Sequence, residues 1–163
     1  MARPLVMLGT ALAVVGAMCG DACAQIDNRL IGAWKWVAVE TTASDGTKAQ
    51  PFGPNPQGSI IFDSAGHFDW LISRPSRAKF ASKRRDQGTD EENKATVQGS
   101  LGYSGTYAVS ENTLILRIEA STYPNDEGAE QKRSFTLTGD ELRWSNQTSS
   151  VGGSAIAVLR RLK

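Results

Sequence analysis

Thiol and imidazole are nearly missing from this chain. Its 163 residues include two cysteines, Cys19 and Cys23, and one histidine, His67. With one histidine, and no cysteine downstream of residue 24, neither a histidine-based zinc site nor a Cys–His or Ser–His–Asp nucleophile system is expected. Charge of either sign is not in excess: the formal net charge is +1. That removes the basic surplus expected of a nucleic-acid binder and the acidic surplus expected of a cation store. The stretch Gly99–Gly105, GSLGYSG, lacks the G-x-G-x-x-G spacing and does not lead into a helix, so no dinucleotide loop is present. Neither a metal nor a cofactor is expected. Long apolar runs are absent as well. The longest, Leu5–Ala17, falls short of the roughly 20 residues a membrane-crossing helix needs.

That run has another use. Arg3 precedes it, small residues follow, and Ala22-Cys23-Ala24 forms an A-x-A cleavage signal. Residues 1–24 therefore read as a cleavable signal peptide and residues 25–163 as one exported domain, periplasmic or secreted. A lipid-modified cysteine fits less well: Met18 stands before Cys19 where a small residue is wanted, and Cys23 lacks an apolar residue three positions earlier. Both cysteines leave with the signal peptide, so the exported domain is held together by its core and not by disulfides. Asn146-Gln147-Thr148 is a glycosylation acceptor only in a host that glycosylates exported proteins.

Downstream of residue 24 no helical period is sustained. Eight short runs of alternating or apolar character recur instead: 33–40, 59–63, 67–74, 100–109, 113–122, 131–138, 142–148 and 154–162. Thr89 and Glu92 form a capping box for one short helix, which Gly99 ends. Short connections (64–66, 110–112, 139–141) alternate strictly with long ones (41–58, 75–99, 123–130, 149–153). In an up-and-down antiparallel sheet this puts every tight turn at one end and every long loop at the other. The expected fold class is all-β: an eight-stranded up-and-down antiparallel barrel with one short helix in a mouth loop. Charged residues such as Lys35, Asp69, Arg117, Glu119 and Arg143 lie on the faces opposite the apolar ones, which excludes an outer-membrane barrel.

Alternation nominates the inner face. Trp36, Phe68, Trp70, Ile72, Leu101, Tyr103 and Tyr107 belong to it, with Leu116, Ile118, Phe135 and Trp144. A filled core and a ligand cavity both satisfy this pattern. Glu40 shares parity with Trp34 and Trp36 and is expected to point inward near the mouth. Arg74, Tyr123, Arg133 and Asn146 lie at the mouth ends of their strands. Such groups can orient the polar end of a ligand or pair with one another. Pro51–Gly58, PFGPNPQG, falls in the first long loop, where proline stiffness suits either a lid or a corner. His67 flanks a tight turn at the closed end, and SKRRD (82–86) reads as a solvated basic loop.

The stretches LIGAWKWVAVE, PFGPNPQGSIIFDSAGHF, SRPSRAKFAS, TDEENKATVQGSLGYSGTY, STYPNDEG and GDELRW together resemble the bacterial and fungal lipocalin-like domain family of small barrels. The resemblance covers nearly all of residues 25–163 and implies an eight-stranded barrel with an apolar interior. It also implies a structural lock in which a last-strand arginine, Arg161, lies over Trp34 of the Gly32-Ala33-Trp34 motif. The expected partner is a small hydrophobic or amphipathic molecule, with no nucleic acid and no membrane span. Two alternatives use the same features: a cyclase, isomerase or dehydratase working through Glu40, Tyr103, Tyr123 or Arg133, and a solid-core interaction or inhibitor protein.

Overall fold

The computed structural model describes residues 25–163, and the expected signal peptide lies outside the described residues. The strands are β1 (Gly32–Thr42), β2 (Lys48–Ala49), β3 (Gln57–Phe62), β4 (His67–Ser73), β5 (Ser100–Ser110), β6 (Thr113–Ser121), β7 (Glu130–Thr138), β8 (Glu141–Asn146) and β9 (Ser154–Arg161). Every neighbouring pair is antiparallel, and β1 pairs with both β3 and β9, so eight strands close into a barrel. Closure leaves no long open edge to template pairing with other chains. The two-residue β2 is the one strand without a counterpart in the sequence reading; it folds back on the mouth end of β1 through Thr41 and Thr42. The helix α1 (Asp90–Gly99) sits in the second long loop, and the Thr89–Glu92 capping box is formed in both directions. Tight turns and long loops segregate to opposite ends, as their spacing requires.

Alternation along the strands builds the core. On β4, Phe68, Trp70 and Ile72 are buried while His67, Asp69 and Leu71 are exposed. β6 contributes Leu114, Leu116 and Ile118, and β8 contributes Leu142 and Trp144. The closed end is sealed by residues 25–31: Leu30 is fully buried, and Gln25 pairs with Val109. Tyr107 donates its hydroxyl to the Asp63 carbonyl at 2.8 Å, and burial pushes that phenol up to about 12.

The lock implied by the Gly-x-Trp resemblance is formed at this end. The Arg161 guanidinium carbon lies 4.1 Å from the centroid of the Trp34 ring. Its nitrogens also donate to the carbonyls of Ile31 (2.8 Å) and Arg29, while Trp34 Nε1 donates to the Leu30 carbonyl at 2.7 Å. Gly32 has φ +120°, and a Cβ there would stand 3.2 Å from Arg161 Nη1, so glycine leaves room for the arginine.

One mouth-end residue is fixed by close approach of two strands. Gly58 has φ +107°, and a Cβ on it would lie 2.1 Å from the Leu71 carbonyl oxygen. That same oxygen accepts from Trp36 Nε1 at 2.9 Å. Gly58→Ala is therefore expected to cost about 3 kcal/mol, combining backbone strain with overlap in a packed barrel. A urea-unfolding midpoint checks it, and a loss under about 0.5 kcal/mol would show that the crossing is not tight.

Candidate functional site

Below the mouth, buried side chains pack across the barrel. Phe62, Phe68 and Tyr107 pack with Leu114, Leu116 and Leu142 and are almost fully buried. Phe135 and Ile118, also nominated for the inner face, belong to this packed layer. Above it three tryptophans form a floor. Trp70 and Trp144 stack with ring centroids 5.9 Å apart and an interplanar angle of 12°. Trp36 meets both edge-on, at 5.2 and 5.5 Å.

A cup of about 60 Å³ opens above this floor. Val39, Thr41, Ile72, Leu101, Ala155 and Ala157 wall it. Its rim comes from two long loops: Pro51 and Phe52 on one side, Ser149, Ser150 and Val151 on the other. Phe52 packs against the core, whereas Val151 is 61 % exposed despite its apolar side chain. The Pro51 segment turns a corner at the rim of the cup. Pro51 and Phe52 line the cup, Pro56 is fully buried, and the turn closes through Gly53 N–H to the Gln50 carbonyl at 2.9 Å.

Polar groups enter this cup from β7 and β8. Phe135 pairs with Trp144 and Ser134 with Ser145, so the next inward positions toward the mouth are Arg133 and Asn146. Arg133 is 5 % exposed. Its guanidinium carbon sits 4.8 Å from the Trp70 ring centroid and 5.6 Å from that of Trp144. Nη2 donates to Gln131 Oε1. Among the described residues no carboxylate lies within ion-pair distance of it. Burial pushes the guanidinium down to about 10, so it keeps its charge at neutral pH. Beside it Tyr103 lies 4.6 Å from Trp70, centroid to centroid. Its hydroxyl donates to the Asp126 carboxylate on the 3₁₀ turn Pro124–Asp126. Desolvation, and then that carboxylate, drive the Tyr103 phenol well above its ordinary value.

Of the nominated site residues, Trp36, Trp70, Ile72, Arg133 and Trp144 line the cup, and Tyr103 borders it through Trp70. Phe68, Tyr107, Leu116, Ile118 and Phe135 lie in the packed core and not in the cup. Three mouth residues need correction. Glu40 does not point inward. The register of β1 on β9 slips between Trp36 and Ala38, inserting Val37 as an extra residue. This bulge reverses parity, so Val39 and Thr41 face the cup while Glu40 pairs with Lys48 at 2.8 Å on the outside. Arg74 is exposed and donates through Nε to the Pro51 carbonyl at 2.8 Å, tethering that loop from outside. Tyr123 stands at the start of the 3₁₀ turn, where its hydroxyl accepts from Asn125.

Phe52, Thr41, Val39 and Val151 were missed as cup residues. For β1 the signal was hidden by the bulge; for the loops, no alternation exists to read. His67 lies at the closed end with Nδ1 2.9 Å from the Asp63 carboxylate, a hydrogen bond that holds the imidazole above its ordinary value. The basic loop lines a broad open groove of about 610 Å³ with Arg74, Arg77, Lys79, Lys83 and Arg85, and Arg84 there pairs with Asp86 at 2.9 Å. No group of three or more potential metal ligands occurs among the described residues. No helix among them is long and apolar enough to cross a membrane.

No protein among the curated sequences matches the chain. Among solved structures, the chain is similar to a lipocalin-like protein from Bacteroides uniformis. It is 15 % identical, covers 82 % of this chain and 98 % of its own, and has a TM-score of 0.45. The profile of the lipocalin-like domain family matches residues 31–159, from the residue before Gly32-Ala33-Trp34 through Leu159 of the last strand. With the Gly-x-Trp lock in place and the family profile spanning most of the barrel, the chain belongs to the lipocalin-like domain family.

Proposed function

We propose that this protein is an exported binding barrel that takes a small amphipathic molecule at its mouth. The observation that carries the reading is the cup itself. It lies at the loop-rich end, is floored by three tryptophans, is lined by Phe52 and faces the exposed Val151. Ligand sites favour barrel mouths, and apolar walls with a few convergent polar groups are their usual construction. The cup is smaller than the roughly 300–1,000 Å³ of drug-sized sites. It therefore suits one end of a slender ligand whose remainder passes between Phe52 and Val151. The outward turn of Glu40 takes an inner carboxylate away from the enzymatic alternative and so favours binding over acid–base chemistry. Export rests on Arg3, the Leu5–Ala17 run and Ala22-Cys23-Ala24.

Native mass spectrometry of the protein from its host's exported fraction tests both parts. The polypeptide is expected to begin at Gln25 and to carry extra mass that leaves on denaturation. Phe52→Ala is expected to shorten the retention of that mass, since the rim no longer slows exit. An intact Met1 overturns export. A bare mass, together with no thermal shift across a panel of lipids and metabolites, overturns binding.

A further inference from the structure

Among the described residues three buried polar atoms have no hydrogen-bond partner: Trp70 Nε1, Arg133 Nε and Asn146 Oδ1. All three residues line the mouth cup, although they come from three different strands, β4, β7 and β8. Buried polar groups elsewhere in the barrel are satisfied. Trp34 Nε1 reaches the Leu30 carbonyl, Trp36 Nε1 the Leu71 carbonyl and the Tyr107 hydroxyl the Asp63 carbonyl. Native interiors rarely leave such atoms unpaired, so their convergence on one cavity marks groups that a ligand completes.

Their chemistry describes that ligand. Two of the three are donors, and one belongs to a buried cation with no carboxylate at ion-pair distance among the described residues. Asp126 attracts that cation from further off, while its carboxylate accepts from the Tyr103 hydroxyl. Asn146 donates through Nδ2 to the Thr148 carbonyl, which leaves its oxygen as an acceptor beside the two donors. An acceptor there disfavours a second negative charge. Arg133 is the one cation among the cup's lining residues. The balance suits a single, flat, two-oxygen anion, which a guanidinium edge and an indole N–H recognise well. A phosphate dianion needs more donors than the cup presents.

We propose that the mouth cup is a carboxylate site that binds slender apolar carboxylic acids as their anions. The carboxylate sits against Arg133 and Trp70 at the base of the cup, and the chain runs out beside Phe52 toward Val151. This assignment rests on the ligand-binding reading above and names the head group that the reading leaves open.

The test uses octanoate, octan-1-ol and octylamine as probes, followed by tryptophan fluorescence of the residue 25–163 protein at neutral pH. The Trp36, Trp70 and Trp144 floor supplies the signal. Octanoate is expected to bind at least tenfold more tightly than octan-1-ol, with octylamine weakest. In Arg133→Met the preference for octanoate over octan-1-ol should shrink to within twofold, while octan-1-ol binding persists. On the wild-type protein the preference should also vanish below the pKa of the acid, with far-UV circular dichroism confirming that the barrel stays folded. This second arm needs no variant. Equal binding of octanoate and octan-1-ol to wild type overturns the carboxylate assignment but leaves the cup as a binding site. Failure of all three probes, with an identical null for Phe52→Ala, overturns both readings.

Discussion

Trp34→Ala is expected to lower the free energy of unfolding by about 3–5 kcal/mol, the range for emptying a fully buried aromatic site. Trp34 is 0 % exposed, so its whole ring is lost from packed surroundings. Three further contacts go with it. The indole N–H no longer satisfies the Leu30 carbonyl, the Arg161 guanidinium loses its aromatic partner, and residues 25–31 lose the surface they seal against. Arg161→Ala is the smaller perturbation, at about 2 kcal/mol. It removes a cation–π contact of roughly 0.5–2 kcal/mol and two charge-assisted hydrogen bonds, but leaves the ring in place. Combining the two substitutions should cost about 1 kcal/mol less than their sum, because each removes the same contact. Guanidinium unfolding curves with an unchanged m-value provide the measurement. A Trp34→Ala loss below about 1 kcal/mol would show that the closed end collapses around the gap and that the lock is incidental.

Arg133→Met is expected to act in the opposite direction, making the ligand-free protein about 1–2 kcal/mol more stable. Desolvating a charge costs several kcal/mol, and the Asp126 carboxylate, which attracts Arg133 from beyond ion-pair distance, offsets only part of that cost. What Arg133 receives in return is attraction to the Trp70 and Trp144 faces, of order 0.5–2 kcal/mol each, and one hydrogen bond to Gln131. Methionine fills much of the same volume, packs well on aromatic rings and carries no charge. Gln131 is only partly buried, so its amide can turn to water when its partner goes. A gain in stability coupled to a loss of carboxylate binding would identify Arg133 as a residue kept for function at the expense of the fold. A loss of more than about 2 kcal/mol would instead make Arg133 a structural element of the aromatic floor. The two outcomes separate cleanly in a thermal melt run without any ligand.

Most of the barrel could be read before any coordinates because two simple signals agree. Period-two alternation places Phe68, Trp70 and Ile72 on one face of β4, and the alternation of tight and long connections places their loops at one end. Each signal is local, and closure follows from their repetition. The capping box at Thr89 is legible for the same reason, since the four-residue stretch Thr89 to Glu92 suffices to form it. Where reading by parity failed, the cause is equally specific. A single extra residue, Val37, is invisible in an apolar-rich run, yet it moves Glu40 from the inside of the barrel to the outside. Arg74 was placed at the right end of its strand, but its side chain found the Pro51 carbonyl on the outer surface. Loops contribute Phe52 and Val151 to the cup, and nothing periodic in their sequence announces that.

The eight strands, their order and the identity of the buried face follow from spacing and hydrophobicity, which act between near neighbours and survive without knowledge of the fold. The Arg161–Trp34 contact joins the two ends of the chain, and its residues were suggested by family resemblance before barrel closure brought them to 4.1 Å. The size of the interior space is a different kind of quantity. Whether inward aromatics fill a barrel or leave room depends on how Trp36, Trp70 and Trp144 tilt against one another, which is settled by three-way packing across strands far apart in sequence. The same packing leaves Arg133, Trp70 and Asn146 with unmet hydrogen-bonding capacity around one small cup. Hydrogen-bond satisfaction is a property of where atoms end up, so only the folded barrel could expose that deficit.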